Sequence, residues 1–113
     1  VDRKKDMIVS GGFNIYAGEV EAVLTTHPSV SSAAVIGVPD SRWGEIVTAF
    51  VVPRPGRRVD ALALQSYVKR VKGSMYTPKN VVVVDSLPTT AVGKVDKKRL
   101  RAPYWAGATR DVH

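Results

Sequence analysis

The chain has 113 residues, 44% of them apolar, a size and balance that suit one globular domain with its own core. Its lack of cysteine excludes a disulfide framework and thiol catalysis and fits a reducing, cytoplasmic setting, and no run of about 18 apolar residues offers a transmembrane segment. The formal charge of +7 is concentrated: residues 69–101 hold nine Lys/Arg against Asp85 and Asp96, whereas residues 1–68 balance seven basic against seven acidic side chains. Such a local field attracts phosphates, whether of a nucleotide, a cofactor or a nucleic acid.

The opening "DRKKD" at 2–6 has no apolar anchor and reads as a linker or domain boundary, and no apolar stretch comes after it that would make a secretory signal. Met7, Ile8 and Val9, then Phe13 and Ile15, flank a Ser10-Gly11-Gly12 turn and predict a small hairpin over 7–15. From about Ala17 the period changes. Val20, Val23, Leu24 and His27 share a helical face, Glu19 and Glu21 sit where the helix dipole favours carboxylates, and Pro28 stops a helix over 18–27.

"VSSAAVIGV" and "EIVTAFVVP" are β-rich runs that predict antiparallel neighbours over 32–38 and 46–53, joined by "PDSRWG". Asp60 can cap a helix over 60–72 with Ala61, Leu64, Val68 and Val71 on one face, and Gly73 ends it. The run "NVVVVD" is apolar throughout, which predicts a central strand over 80–84 covered on both faces. Asp96 can cap a last short helix through Leu100; the tail 102–113 has aromatics at 104 and 105 but no period. These elements predict a two-layer α+β domain, a small and largely antiparallel three-stranded sheet packed with helices, plus the N-terminal hairpin.

Two short stretches bear on chemistry. "PTTAVGKV" at 88–95 places Gly93-Lys94 in a loop, yet it is not a phosphate-binding Walker loop: Pro88 stands at the first glycine position, and Val95 replaces the hydroxyl that would hold Mg²⁺. What survives is a lysine on a glycine-shaped loop, either a solvated surface charge or a compact cation for a phosphate or carboxylate. In "SGG" at 10–12, two glycines allow positive φ and close approach of a ligand, or simply a hairpin turn. Trp43 in the connection 39–45 either folds onto the core or belongs to a contact surface. The basic residues at 69, 70, 72, 97, 98, 99 and 101 lack interleaved stacking aromatics or a nucleic-acid signature. With only His27 and His113, no metal-ligand spacing is visible.

Taken in order, "DRKKDMIVSGGFNIYAGEVEAVLTTHPSVSSAAVIGVPDSRWGE" and "LPTTAVGKVDKKRLR" resemble the small C-terminal domain of adenylate-forming enzymes, most of all an acyl-CoA synthetase or fatty-acid–CoA ligase, over residues 2 to about 101. The resemblance implies two half-reactions. A carboxylate attacks the α-phosphate of ATP to give acyl-AMP and pyrophosphate, then a thiol, usually that of coenzyme A, displaces AMP, with the small domain rotating between the steps. By the same resemblance Lys94 falls on the adenylation lysine and Gly93 shapes its loop. Lys5 falls on the hinge and Arg3 on the nucleotide-proximal position. Ser10, Gly11 and Gly12 fall on the loop of the thioester step, and Glu19 opens the first helix. Ala17 departs from the proline that many relatives carry there, and Phe13 from the arginine that some relatives carry.

The resemblance also implies a division into a hinge at 1–6 leading to an N-terminal adenylation domain, the C-terminal domain proper at 7–101, and a tail at 102–113. ATP, Mg²⁺ and coenzyme A are expected in the full enzyme and none on this domain alone, which would be an inactive fragment. The partners expected are that adenylation domain, a fatty or aromatic carboxylate and coenzyme A, with no nucleic acid and no metal site. The alternative is a free-standing basic module for nucleic acid or an acidic partner.

Overall fold

The two longest β-branched runs form the longest pairing of the sheet, the second run at its centre and the first at one edge. In the structure, a computed structural model that describes residues 6–106, β3 and β4 are Val30–Asp40 and Gly44–Pro53. They pair antiparallel from Val30↔Pro53 to Asp40↔Gly44. Alternation along them points side chains to opposite faces. Val35, Val47, Ala49 and Val51 enter one buried cluster, whereas Ile36, Val38 and Phe50 form a second.

Before them in the chain, β1 (Met7–Ser10) and β2 (Phe13–Tyr16) make the expected hairpin. It is not a separate unit, because Ser10 pairs with Gly44 and adds the hairpin to the start of β4. Beside it on β4 runs β5, Asn80–Val83, completing a five-stranded sheet.

Helix α1, Ala17–Leu24, buries Ala17, Val20 and Leu24, spaced as one face of a helix requires. It ends before the expected His27. The hydroxyls of Thr25 and Thr26 donate to the carbonyls of Glu21, Ala22 and Val23 and so close the last turn. Helix α2, Ala61–Lys72, starts where Asp60 accepts from the Leu62 N–H at 3.1 Å and stops at Gly73. Leu64 and Val68 carry its core contact, each burial worth about 1.5–3 kcal/mol. Val71 is exposed, since the last turn runs past the cluster.

Other expectations are corrected. β5 is parallel to β4, from Thr48↔Asn80 to Val51↔Val83, because α2 carries the chain back across the sheet before it enters. The sheet is therefore largely antiparallel, as expected, but it has five strands instead of three because the hairpin joins it. Nor is β5 central: its apolar run supplies Val81 to one cluster and Val82 to the other, and so reports two covered faces, not two neighbouring strands. The last helix, α3, runs from Lys97 through Pro103 to Trp105 instead of ending at Leu100. It lies on the face opposite α1 and α2, where Leu100 packs against the Ile36–Val38–Phe50 cluster and Tyr104 meets Phe50 edge-on. That third layer extends the two-layer expectation. The α+β class, the helices on the sheet and the N-terminal hairpin stand as expected. Among the described residues no helix is long and apolar enough to cross a membrane.

Candidate functional site

The loop at 88–96 is a tight hairpin with Lys94 near its tip. Thr89 and Val95 form an isolated antiparallel bridge, and the Asp96 N–H donates to the Pro88 carbonyl at 2.8 Å. Inside that frame the Gly93 N–H donates to Thr90 O at 3.0 Å, and the Thr90 N–H to Lys94 O at 2.7 Å. The pattern is a short hairpin loop closed by a residue of positive φ, and Gly93 supplies it at +89°. Lys94 comes immediately after and is exposed. Leu87 before the loop and Leu100 after it both pack on the Ile36–Val38–Phe50 cluster, which fixes the hairpin to that face.

The turn at Ser10-Gly11-Gly12 is built differently. Gly11 and Gly12 take φ of +59° and +85°, and the Gly11 N–H donates to Trp43 O at 2.9 Å. Trp43 lies so close that a Cβ on Gly11 would stand 2.7 Å from Cε3, whereas one on Gly12 would meet nothing. The Lys79 ammonium lies 4.6 Å from the centre of the Trp43 ring. Beside this turn opens a groove of about 200 Å³ lined by Ser10, Phe13, Ile15, Trp43, Met75 and Lys79. Ile15 and Val47 at its base belong to the cluster under α1 and α2. The Gly93–Lys94 hairpin is thus fixed to the α3 face, whereas the glycine turn sits at the end of the β1–β2 hairpin beside a groove floored by the opposite cluster.

The basic residues do not form one field, because those of α2 and α3 lie on different faces of the sheet. Lys72 pairs with Glu19 at 3.4 Å, while Lys97 pairs with Asp6 at 3.1 Å and Glu21 at 2.6 Å. Arg101 reaches Asp6 at 3.2 Å. Glu19 is accordingly an ion-pair partner in the first turn of α1. On the α3 side Glu45 is partly buried, and desolvation pushes its carboxyl above the usual carboxylate range, opposed by the Val9 N–H and the charge of Arg101. Among the described residues no group of three His, Cys, Asp or Glu side chains is placed to hold a metal ion.

Lys94 and Gly93 share one loop and Ser10, Gly11 and Gly12 another, and the structure does not bring the two loops together. Arg3 and Lys5 lie outside the described residues, as do residues 107–113 of the tail. Trp43 is neither core nor isolated: it is 43% exposed and backs the glycine turn. Sequence reading missed Lys79 and the cluster of Asp6, Glu21, Lys97 and Arg101. The i, i+4 spacing of Lys97 and Arg101 was a usable signal, but Asp6 lies 91 positions from Lys97 and nothing local links them.

These features define a class: an α+β domain that holds two glycine-shaped loops at separate places on a single sheet, one of them carrying an exposed lysine. More particularly, the chain belongs to the AMP-binding enzyme C-terminal domain family, whose sequence profile matches residues 19–94. It is 53% identical over 99% of its length to the medium/long-chain-fatty-acid–CoA ligase FadD8 of Mycobacterium tuberculosis, covering 21% of that protein. With a feruloyl-CoA synthase of an Amycolatopsis species it shares 50% identity over 92% of its length and 21% of the relative. Among solved structures, the acyl-CoA synthetase of Brucella canis superposes with a TM-score of 0.87 at 37% identity, over 94% of this chain and 20% of that one. The chain thus spans about a fifth of the length of these relatives. It is homologous to the C-terminal domain of acid–thiol ligases.

Proposed function

We propose that this chain serves as the C-terminal domain of an ATP-dependent acyl-CoA synthetase that activates a fatty or aromatic acid as acyl-AMP and passes it to coenzyme A. One observation carries the reading: the two candidate loops sit apart on one rigid sheet, the Gly93–Lys94 hairpin on the α3 face and the glycine turn at the end of the β1–β2 hairpin beside a groove floored by the opposite cluster. A rigid body so built offers a different loop to a shared pocket when it rotates, which suits two successive steps. In this reading Lys94 meets the carboxylate and the α-phosphate during adenylation, holding two anions together and stabilising charge in transfer. Gly93 keeps its backbone turned toward them. Ser10, Gly11 and Gly12 border the path of the thiol, where the small backbone leaves room.

The reading requires an N-terminal adenylation domain as partner, with Lys5 as the hinge and Arg3 beside the nucleotide. The boundaries proposed are 1–6, 7–101 and 102–113. The described residues do not fit Mg²⁺, and no step on this chain is routed through it. The names of the relatives support both fatty and aromatic acids, since one acts on medium and long fatty chains and another makes feruloyl-CoA. A free-standing basic module is disfavoured, because the charge is divided between two faces and partly neutralised by Asp6, Glu19 and Glu21.

The test is Lys94→Ala in the full enzyme, with the half-reactions assayed apart. Loss of a preorganised donor to a developing anion slows adenylation by about 100- to 1,000-fold. Transfer from supplied acyl-AMP to coenzyme A survives, and Lys98→Ala changes either step much less. Equal collapse of both steps in the Lys94 variant would contradict the assignment of the loops to different steps.

A further inference from the structure

Asp6 is the first described residue and directly succeeds the proposed hinge Lys5 in the sequence. Its two carboxylate oxygens are both engaged by α3: Oδ2 accepts from Lys97 Nζ at 3.1 Å and Oδ1 from Arg101 at 3.2 Å. These cations stand one helical turn apart, so the carboxylate bridges them along the helix. Lys97 also meets Glu21 Oε2 at 2.6 Å, and that same oxygen accepts the Val35 N–H at 2.8 Å. The four side chains are only 15–34% exposed. One cluster thus joins the start of the domain, α1, β3 and α3.

The loop carrying Lys94 ends where α3 begins. Asp96 caps α3 by accepting from the Arg99 N–H at 3.2 Å, and Lys97 is the first helical residue. A short chain of contacts through Asp6, Lys97 and the N-terminus of α3 therefore links residue 6 to the Lys94 loop without crossing the sheet. We infer that Asp6, through Lys97 and Arg101, is a positioning residue that ties the hinge exit to α3 and sets the Lys94 hairpin for adenylation. The inference rests on the proposed role of Lys94. A buried or half-buried carboxylate held by two cations suits the task, because losing it leaves both cations short of a partner and loosens the helix they belong to.

The experiment compares Asp6→Asn and Asp6→Glu with wild type in the full enzyme, reading each half-reaction and amide hydrogen exchange across 94–101. The Asn variant, which keeps size but loses charge, is expected to exchange at least about threefold faster there. Adenylation should slow about tenfold, less than the roughly 100-fold cost of a full 1 Å misplacement, with transfer from supplied acyl-AMP within about twofold of wild type. Asp6→Glu should restore both readouts in part. Unchanged exchange across 94–101 in the Asn variant overturns the clamp itself. Faster exchange with unchanged adenylation, in an enzyme where Lys94→Ala still slows adenylation by about 100-fold or more, overturns the positioning role and leaves the Lys94 assignment standing. If Lys94→Ala has no effect on adenylation, the functional reading fails and with it the positioning role, while the exchange data still decide whether the clamp exists.

Discussion

Replacing Gly11 and Gly12 separately by alanine distinguishes a packed turn from a merely bent one. Both residues have positive φ, +59° and +85°. A side chain there costs about 1–2 kcal/mol in backbone strain, offset by about 0.4–1 kcal/mol from the smaller freedom of the unfolded chain. Around Gly12 there is open space, so Gly12→Ala should destabilise by about 0–1.6 kcal/mol on those two contributions. At Gly11 the new methyl would stand 2.7 and 2.9 Å from two Trp43 carbons, and the ring or the turn must move. Overpacking of this kind adds about 1–3 kcal/mol. Urea unfolding of the two variants should therefore separate by about that amount, with Gly11→Ala the weaker. Trp43 emission should shift in the folded Gly11 variant only, because the ring leaves its contact with Gly11 and Lys79. Equal midpoints for the two variants, with unchanged Trp43 emission, would refute the view that this turn is seated on the indole.

Two further predictions concern the α3 face. The carboxyl of Glu45 is raised above its ordinary 4.5, so its protonated form favours the fold. That contribution is complete below pH 4.5 and is lost as pH rises through the raised value. Glu45→Gln should therefore gain stability relative to wild type as pH increases from about 4 to 7 in urea unfolding, and a gain that shrinks over that range would contradict the desolvated carboxyl. Trp105→Phe removes the Nε1–H bond to Gly37 O, 2.9 Å long, and should lower stability by about 0.5–1.5 kcal/mol with the denaturant slope unchanged; an unmoved midpoint would show that α3 is held without it.

Local signals in the sequence were enough for the units of the fold. The β-branched runs of β3 and β4 specify extended chain because their side chains pack on a pleated surface. Asp60 and Gly73 bracket α2 because a carboxylate caps the free N–H groups at one end and a glycine adopts φ +107° at the other. Gly93 and Lys94 stood out for a similar reason, since a glycine beside a lysine in a short loop is a local statement about backbone and charge. The order of motifs along the chain, compared with a family, led from there to adenylation chemistry. Tertiary structure decided what no neighbour in sequence encodes. It turned β5 parallel and put it at an edge, because an apolar strand records only which faces are covered, and the crossover through α2 sets its direction. It also placed the Trp43 ring under Gly11 and brought Asp6 to Lys97 and Arg101, contacts that exist only after α3 docks on the far face of the sheet. Such contacts form between residues remote in the chain, so their energy depends on the packed fold and leaves no periodic trace in the residues that make them.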